Sequence, residues 1–134
     1  MADGYSAAAW VAAHTALLTL IEAGGGDSKI KLYDNGSPAV LLGEFVIDDA
    51  TSDVSGTTGD ITIEISTQED AALAGGTASY ITICDGDGDV VYKMSCQQGT
   101  EAVAGKCVMN SLTIIQGAPI DILSCEIPAG AVYS

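Results

Sequence analysis

The chain has 134 residues, 48% of them hydrophobic and only 5% aromatic, with a mean hydropathy of +0.34. That length suits one domain around one core, and that hydropathy excludes disorder for want of apolar residues. Eighteen acidic residues face four lysines and no arginine, a formal net charge of -14. Neutralising phosphates takes clustered Lys and Arg, so the balance argues against nucleic-acid binding and against docking on an anionic membrane.

The opening Met1-Ala2-Asp3-Gly4 lacks the basic start of a secretory leader. No run reaches the roughly 18 apolar residues of a membrane span. The expectation is a soluble chain made in a cytoplasm. Residues 6–23 read as the one helix, with Ser6 as N-cap and an alanine-rich body. Trp10, Ala13, Leu17, Leu20 and Ile21 recur at spacings of three and four and make an apolar stripe. The stripe either packs on the chain's own sheet or docks on a neighbouring subunit. In the second case Trp10, Leu17, Leu20 and Ile21 are the interface candidates and Gly24-Gly25-Gly26 is a flexible hinge. On that reading, deleting residues 1–26 leaves the rest folded. His14 has no catalytic or metal partner nearby in sequence and reads as an ordinary helix-surface or interface residue.

Residues 29–33, KIKLY, alternate strictly, with Ile30 and Leu32 on one face and Lys29, Lys31 and Tyr33 on the other. Asp34-Asn35-Gly36-Ser37-Pro38 is a turn, and residues 40–47 resume as a strand with Gly43 as a possible bulge. Residues 48–59 read as an exposed loop. Ile61, Ile63 and Ile65 mark a strand with one buried face, and residues 68–76 suit a short helical turn. Residues 77–96 form a β-hairpin about Asp85-Gly86-Asp87-Gly88-Asp89, because Asp-Gly pairs supply the positive φ that tight turns need. Residues 108–115 and 120–127 are the last strands, and Pro128 stops the second. About seven strands and one helix give a mainly β chain, an antiparallel sandwich or jelly-roll-like domain. Residues 1–134 form a single domain, with 1–26 as helix and hinge and 27–134 as the β part.

Asp85, Asp87 and Asp89 have the D-x-D-x-D spacing that opens a calcium loop, but Val90 and Cys96 stand where glycine and a bidentate glutamate belong. The set reads as an acidic turn, with a weak calcium site as the alternative. Cys84, Cys96, Cys107 and Cys125 include no C-x-x-C pair, so a zinc cluster fits poorly. They allow two disulfides, favouring Cys96–Cys107 and Cys84–Cys125, or four buried thiols. Neither a nucleophile elbow nor a phosphate loop is present, and the expectation is a non-enzyme without cofactors.

The order of parts resembles small virion proteins of tailed bacteriophages: SAAAWVAAHTALLTLIEAGGG, then KIKLYDNGSPAVLLGEFVI, GDITIEI and the hairpin TASYITICDGDGDVVYKMS. The resemblance covers most of the chain, although the four cysteines depart from it. It implies a cement or decoration protein on the capsid surface of the virion, bound to the major capsid protein as a trimer or dimer. Other classes fit less closely: a head–tail junction, tail or fibre-base part, or a small glycan-binding β module.

Overall fold

A computed structural model of the chain describes residues 6–129. The first element, α1 (Ala7–Ile21), starts where Ser6 Oγ accepts a hydrogen bond from the Ala9 N–H at 3.1 Å, as its capping role requires. The helix packs on its own domain. His14, Leu18 and Ile21 are buried, Trp10 and Leu17 are half-buried, and Leu20 is 53% exposed. The stripe read from sequence is therefore rotated, and Ile21 belongs to the core rather than to a docking surface. His14 is no surface residue either. It donates from Nδ1 to the Gly59 carbonyl at 2.6 Å, beneath an edge-on contact with Trp10 at 5.2 Å.

The strands that follow are β1 (Lys29–Tyr33), β2 (Leu41–Ile47), β3 (Asp53–Val54), β4 (Ile61–Thr62), β5 (Ile65–Thr67), β6 (Gly76–Thr77), β7 (Tyr80–Cys84), β8 (Val90–Gln98), β9 (Cys107–Met109), β10 (Thr113–Ile114) and β11 (Ile122–Ile127). Nine of them form one curled sheet in the order β3-β4-β11-β9-β8-β7-β1-β2-β5, while β6 and β10 pair separately. The class is as expected, mainly β with one N-terminal helix. One pairing departs from the antiparallel rule: β8 and β9 run parallel, joined by the loop 99–106. Gly43 does lie beside a register shift between β1 and β2, the bulge its position suggested.

The run Ile61-Ile63-Ile65 is not one strand. β4 lies near one end of the sheet order and β5 at the other, yet only Ile63 and Glu64 separate them. This stretch crosses from β11, where Ile63 N–H donates to the Cys125 carbonyl, to β2, where Asp48 N–H donates to the Glu64 carbonyl. The sheet thereby curls back until its two ends share a segment. Phe45, Ile30, Leu32, Leu42, Ile61, Ile81 and Ile83 are fully buried within the curl.

Residues 68–76 make no helix, because their polar groups close this seam instead. The Gln68 side chain donates from Nε2 to the Ile122 carbonyl at 3.2 Å, and its Oε1 accepts from the Ile122 N–H at 3.0 Å. It takes the place of a neighbouring strand residue. Glu69 Oε2 accepts from the Glu44 N–H at 2.9 Å, and the Glu69 backbone bridges to Ile120.

The glycine joint after α1 is clamped. Gly26 N–H donates to the Gly86 carbonyl at 3.0 Å, Gly86 N–H to the Ala23 carbonyl at 2.7 Å, and Gly25 N–H to Asp87 Oδ1 at 3.2 Å. A Cβ on Gly24 would sit 2.7 Å from the Asp87 nitrogen, and one on Gly26 would sit 2.8 Å from the Gly86 oxygen. Two glycine-rich stretches far apart in sequence thus need each other's lack of side chains.

Candidate interaction face

The outer face of the sheet follows from register. Across β2, β1, β7 and β8, Glu44, Lys31, Thr82 and Lys93 form one row of cross-strand neighbours. Tyr33, Tyr80 and Ser95 form the next row, and Val46, Lys29, Cys84 and Val90 a third. Alternation sends Ile30, Leu32, Ile81, Ile83 and Met94 to the opposite, buried side. Three of the four lysines therefore stand on one sheet face of a chain whose net charge is -14.

An aromatic contact holds one of these lysines, Lys93. The Tyr33 and Tyr80 rings stack at 5.3 Å and 17°, and Lys93 Nζ lies 4.2 Å from the centre of the Tyr80 ring. An ammonium over an aromatic face gains roughly 0.5–1 kcal/mol at exposed sites. Lys31 Nζ stands 3.9 Å from Glu44 Oε1, a half-exposed pair of little energetic consequence. Thr82 and Cys84 are buried on this outward side, with Thr82 Oγ1 and Cys84 Sγ 3.5 Å apart. Lys29 and Lys31 open onto a recess of about 270 Å³ shared with Asp27, Glu44, Asp85 and Asp87. The recess lies where the glycine clamp meets the β7–β8 turn.

Two of the three turn aspartates accept backbone hydrogen bonds. Asp85 Oδ1 accepts from the N–H groups of Asp87 and Asp89, both at 3.0 Å, and Asp87 reaches to Gly25. Among the described residues, no three His, Cys, Asp or Glu side chains are placed to hold a metal ion. Asp34 serves its turn in the same way: its Oδ1 accepts from Gly36 and Val40 at 2.9 and 2.8 Å. Those bonds hold its carboxyl below the ordinary aspartate range.

All four thiols are free, so neither expected disulfide is present. Cys84 and Cys125 lie on β7 and β11 with β8 and β9 between them. Cys84 meets Thr82, while Cys125 donates to the Met94 thioether at 3.8 Å. Cys96 and Cys107, by contrast, are register partners on the parallel strands β8 and β9. Of the interface candidates read from sequence, only Leu20 remains on the surface; Trp10 and Leu17 lie half-buried and Ile21 is wholly enclosed. Sequence reasoning passed over Tyr80 and Lys93 as partners of Lys29, Lys31 and Tyr33. The alternation in KIKLY was the available signal, but only the pairing register joins the two strands into one face. No family model, no curated protein and no solved structure matches this chain.

Proposed function

We propose that this chain is a non-enzymatic virion structural protein, a cement or decoration protein that binds the outside of a tailed-bacteriophage capsid and stabilises it. The observation that carries this reading is the gathering of Lys29, Lys31 and Lys93 with the stacked Tyr33 and Tyr80 on one regular sheet face. On this face Lys29 and Lys31 alternate with Asp27, Glu44, Asp85 and Asp87, and such a mixed-charge pattern orients a large partner and discriminates among docking poses. Tyrosines held by stacking present contact area at small entropic cost. The resemblance in the order of parts supplies the class of partner, the major capsid protein. The remaining acidity keeps copies apart until they dock, and the working form is a homo-oligomer, dimer or trimer, on the shell.

The test is binding of the purified chain to undecorated shells assembled from a tailed-bacteriophage major capsid protein. The wild type should saturate at a stoichiometry near that of the shell subunit, and the bound shells should resist heat or chaotrope better than bare ones. Replacing Lys29, Lys31 and Lys93 by Glu should weaken binding by about tenfold or more and remove most of its salt dependence. A folded triple variant that binds as the wild type does would exclude this face, and absence of wild-type binding would exclude the capsid role.

A further inference from the structure

On the buried side of the sheet, sulfur atoms are gathered in one place. Cys96 on β8 is the register partner of Cys107 on β9, and Cys107 is in turn the register partner of Cys125 on β11. Three thiols thus stand in a row across adjacent strands, with the Met94 thioether 3.8 Å from Cys125. The three differ in access. Cys107 and Cys125 are closed off from solvent, whereas Cys96 is half-exposed.

We propose that Cys96 and Cys107 are a thiol pair that small-molecule disulfides oxidise to an intramolecular bridge, with Cys96 as the entry point. Register partners on neighbouring strands lie about 5 Å apart at Cα, inside the range of about 4.4–6.8 Å that a disulfide spans. The neighbouring Cys107 holds the Cys96 thiol below the ordinary thiol range, while Cys96 and burial together push Cys107 up. Cys125 is pushed up to about 12, mainly by burial, and is the poor competitor.

The step balances with an oxidised low-molecular-weight disulfide as co-reactant. The Cys96 thiolate attacks one sulfur of the reagent, a mixed disulfide forms, and the first small thiolate leaves. Cys107 then loses its proton and attacks Cys96 Sγ, expelling the second small thiolate. The negative charge that held the Cys107 proton is gone at that stage, which eases its release. Two protein thiols are oxidised, and one reagent disulfide becomes two thiols. The bridge closes the segment 97–106 across the one parallel pairing of the sheet. This inference concerns the thiols alone and stands apart from the capsid role.

The experiment uses the full chain, reduced, freed of reductant, and incubated with oxidised glutathione. Remaining thiols are then alkylated under denaturing conditions and the peptides mapped. Trypsin cuts after Lys106 and an Asp/Glu-specific protease after Asp121, which separates all three sulfurs of the row. The expected product links Cys96 to Cys107 and leaves Cys84 and Cys125 alkylated, with a melting temperature raised on the order of 10 °C. The Cys96→Ser variant, altered only at the half-exposed position, should leave Cys107 unreacted over the same period. Four alkylated thiols in the wild type, a Cys96 adduct that never resolves, or a bridge mapped to Cys107–Cys125 would each overturn the assignment.

Discussion

From β2 to β8 the sheet is held by main-chain ladders of five residue pairs, whereas at the seam between β11 and β2 the two-residue β4 and three-residue β5 are helped by side chains. In the first region each residue's side is set by alternation, so KIKLY and YITIC put Ile30, Leu32, Ile81 and Ile83 inward without further instruction. In the second the chain changes partner between Thr62 and Ile65, and Gln68 and Glu69 supply the hydrogen bonds that a longer strand would have made. A ladder shares its load over many equivalent bonds; the seam rests on a few bonds, two of them from the Gln68 amide. The lysine–tyrosine face lies on the outer side of this ladder region, because register sets Lys31 and Lys93 in one row and Tyr33 and Tyr80 in the next.

α1 packs on β3 at the far end of the sheet while its clamp grips the β7–β8 turn, and removing both is the largest perturbation available. Deleting residues 1–26 takes away Leu18 and Ile21 from the core and every glycine–hairpin bond on the α1 side. Truncating one buried Leu or Ile to Ala already costs about 2–5 kcal/mol, against a typical total stability of about 5–15. The truncated chain is expected to lose its cooperative thermal transition by circular dichroism. This reverses the expectation that the helix is a dispensable arm, and a truncated chain that melts like the full one would restore it.

Within the clamp, Gly86→Ala comes next. Its new Cβ would collide with the Gly26 backbone and part the pair of bonds joining Gly86 to Ala23 and Gly26, a loss of about 2–3 kcal/mol. Gly25→Ala is the matched control, since a Cβ there meets nothing within 4 Å, and its effect should stay below about 0.5 kcal/mol. Equal effects in chemical denaturation would mean that the clamp is ornamental.

At the seam, Gln68→Ala leaves both backbone groups of Ile122 without their side-chain partner. The expected cost is about 1–3 kcal/mol, read from the urea midpoint at unchanged slope. Gln68→Glu separates the two bonds: its carboxylate can still accept from the Ile122 N–H but sets negative charge against the carbonyl. It should therefore be no better than alanine. If both variants match the wild type, the seam is held by packing and by the Glu69 and backbone bonds, without the Gln68 amide.

This contrast also explains what could be read from the chain and what could not. The helix, the β1 strand, the hairpin and the Gly43 bulge follow from local signals: a cap, alternation, Asp-Gly turns and a glycine in a strand. The split of Ile61–Ile65 between two partners has no local signature, because alternation is the same whether one neighbour or two receive the strand. His14 was misread for a related reason. Its partner is a backbone carbonyl of Gly59, forty-five residues away, and a carbonyl leaves no mark in a sequence. Cys96 and Cys107 stand side by side without the bridge expected of them, in a parallel register that the short loop between them gave no reason to foresee.

The smallest expected effect lies in the β1–β2 turn, at the rim of the ladder region. The Asp34 carboxylate is stabilised by the N–H groups of Val40 and Gly36, which lowers its pKa from the ordinary 3.8. A carboxyl whose folded pKa is depressed contributes stability that is fully present above its unfolded value and is lost as pH falls through the folded one. The amide proton shifts of Gly36 and Val40 should accordingly titrate together, with a midpoint below 3.8, while the β7–β8 ladder amides stay still. In Asp34→Asn the amide oxygen still accepts but carries no charge, so the turn should persist while the titration vanishes. If the ladder amides moved with Gly36, the turn and the ladder would be one cooperative unit, and the distinction between main-chain ladders and side-chain closures would fail at its most exposed point.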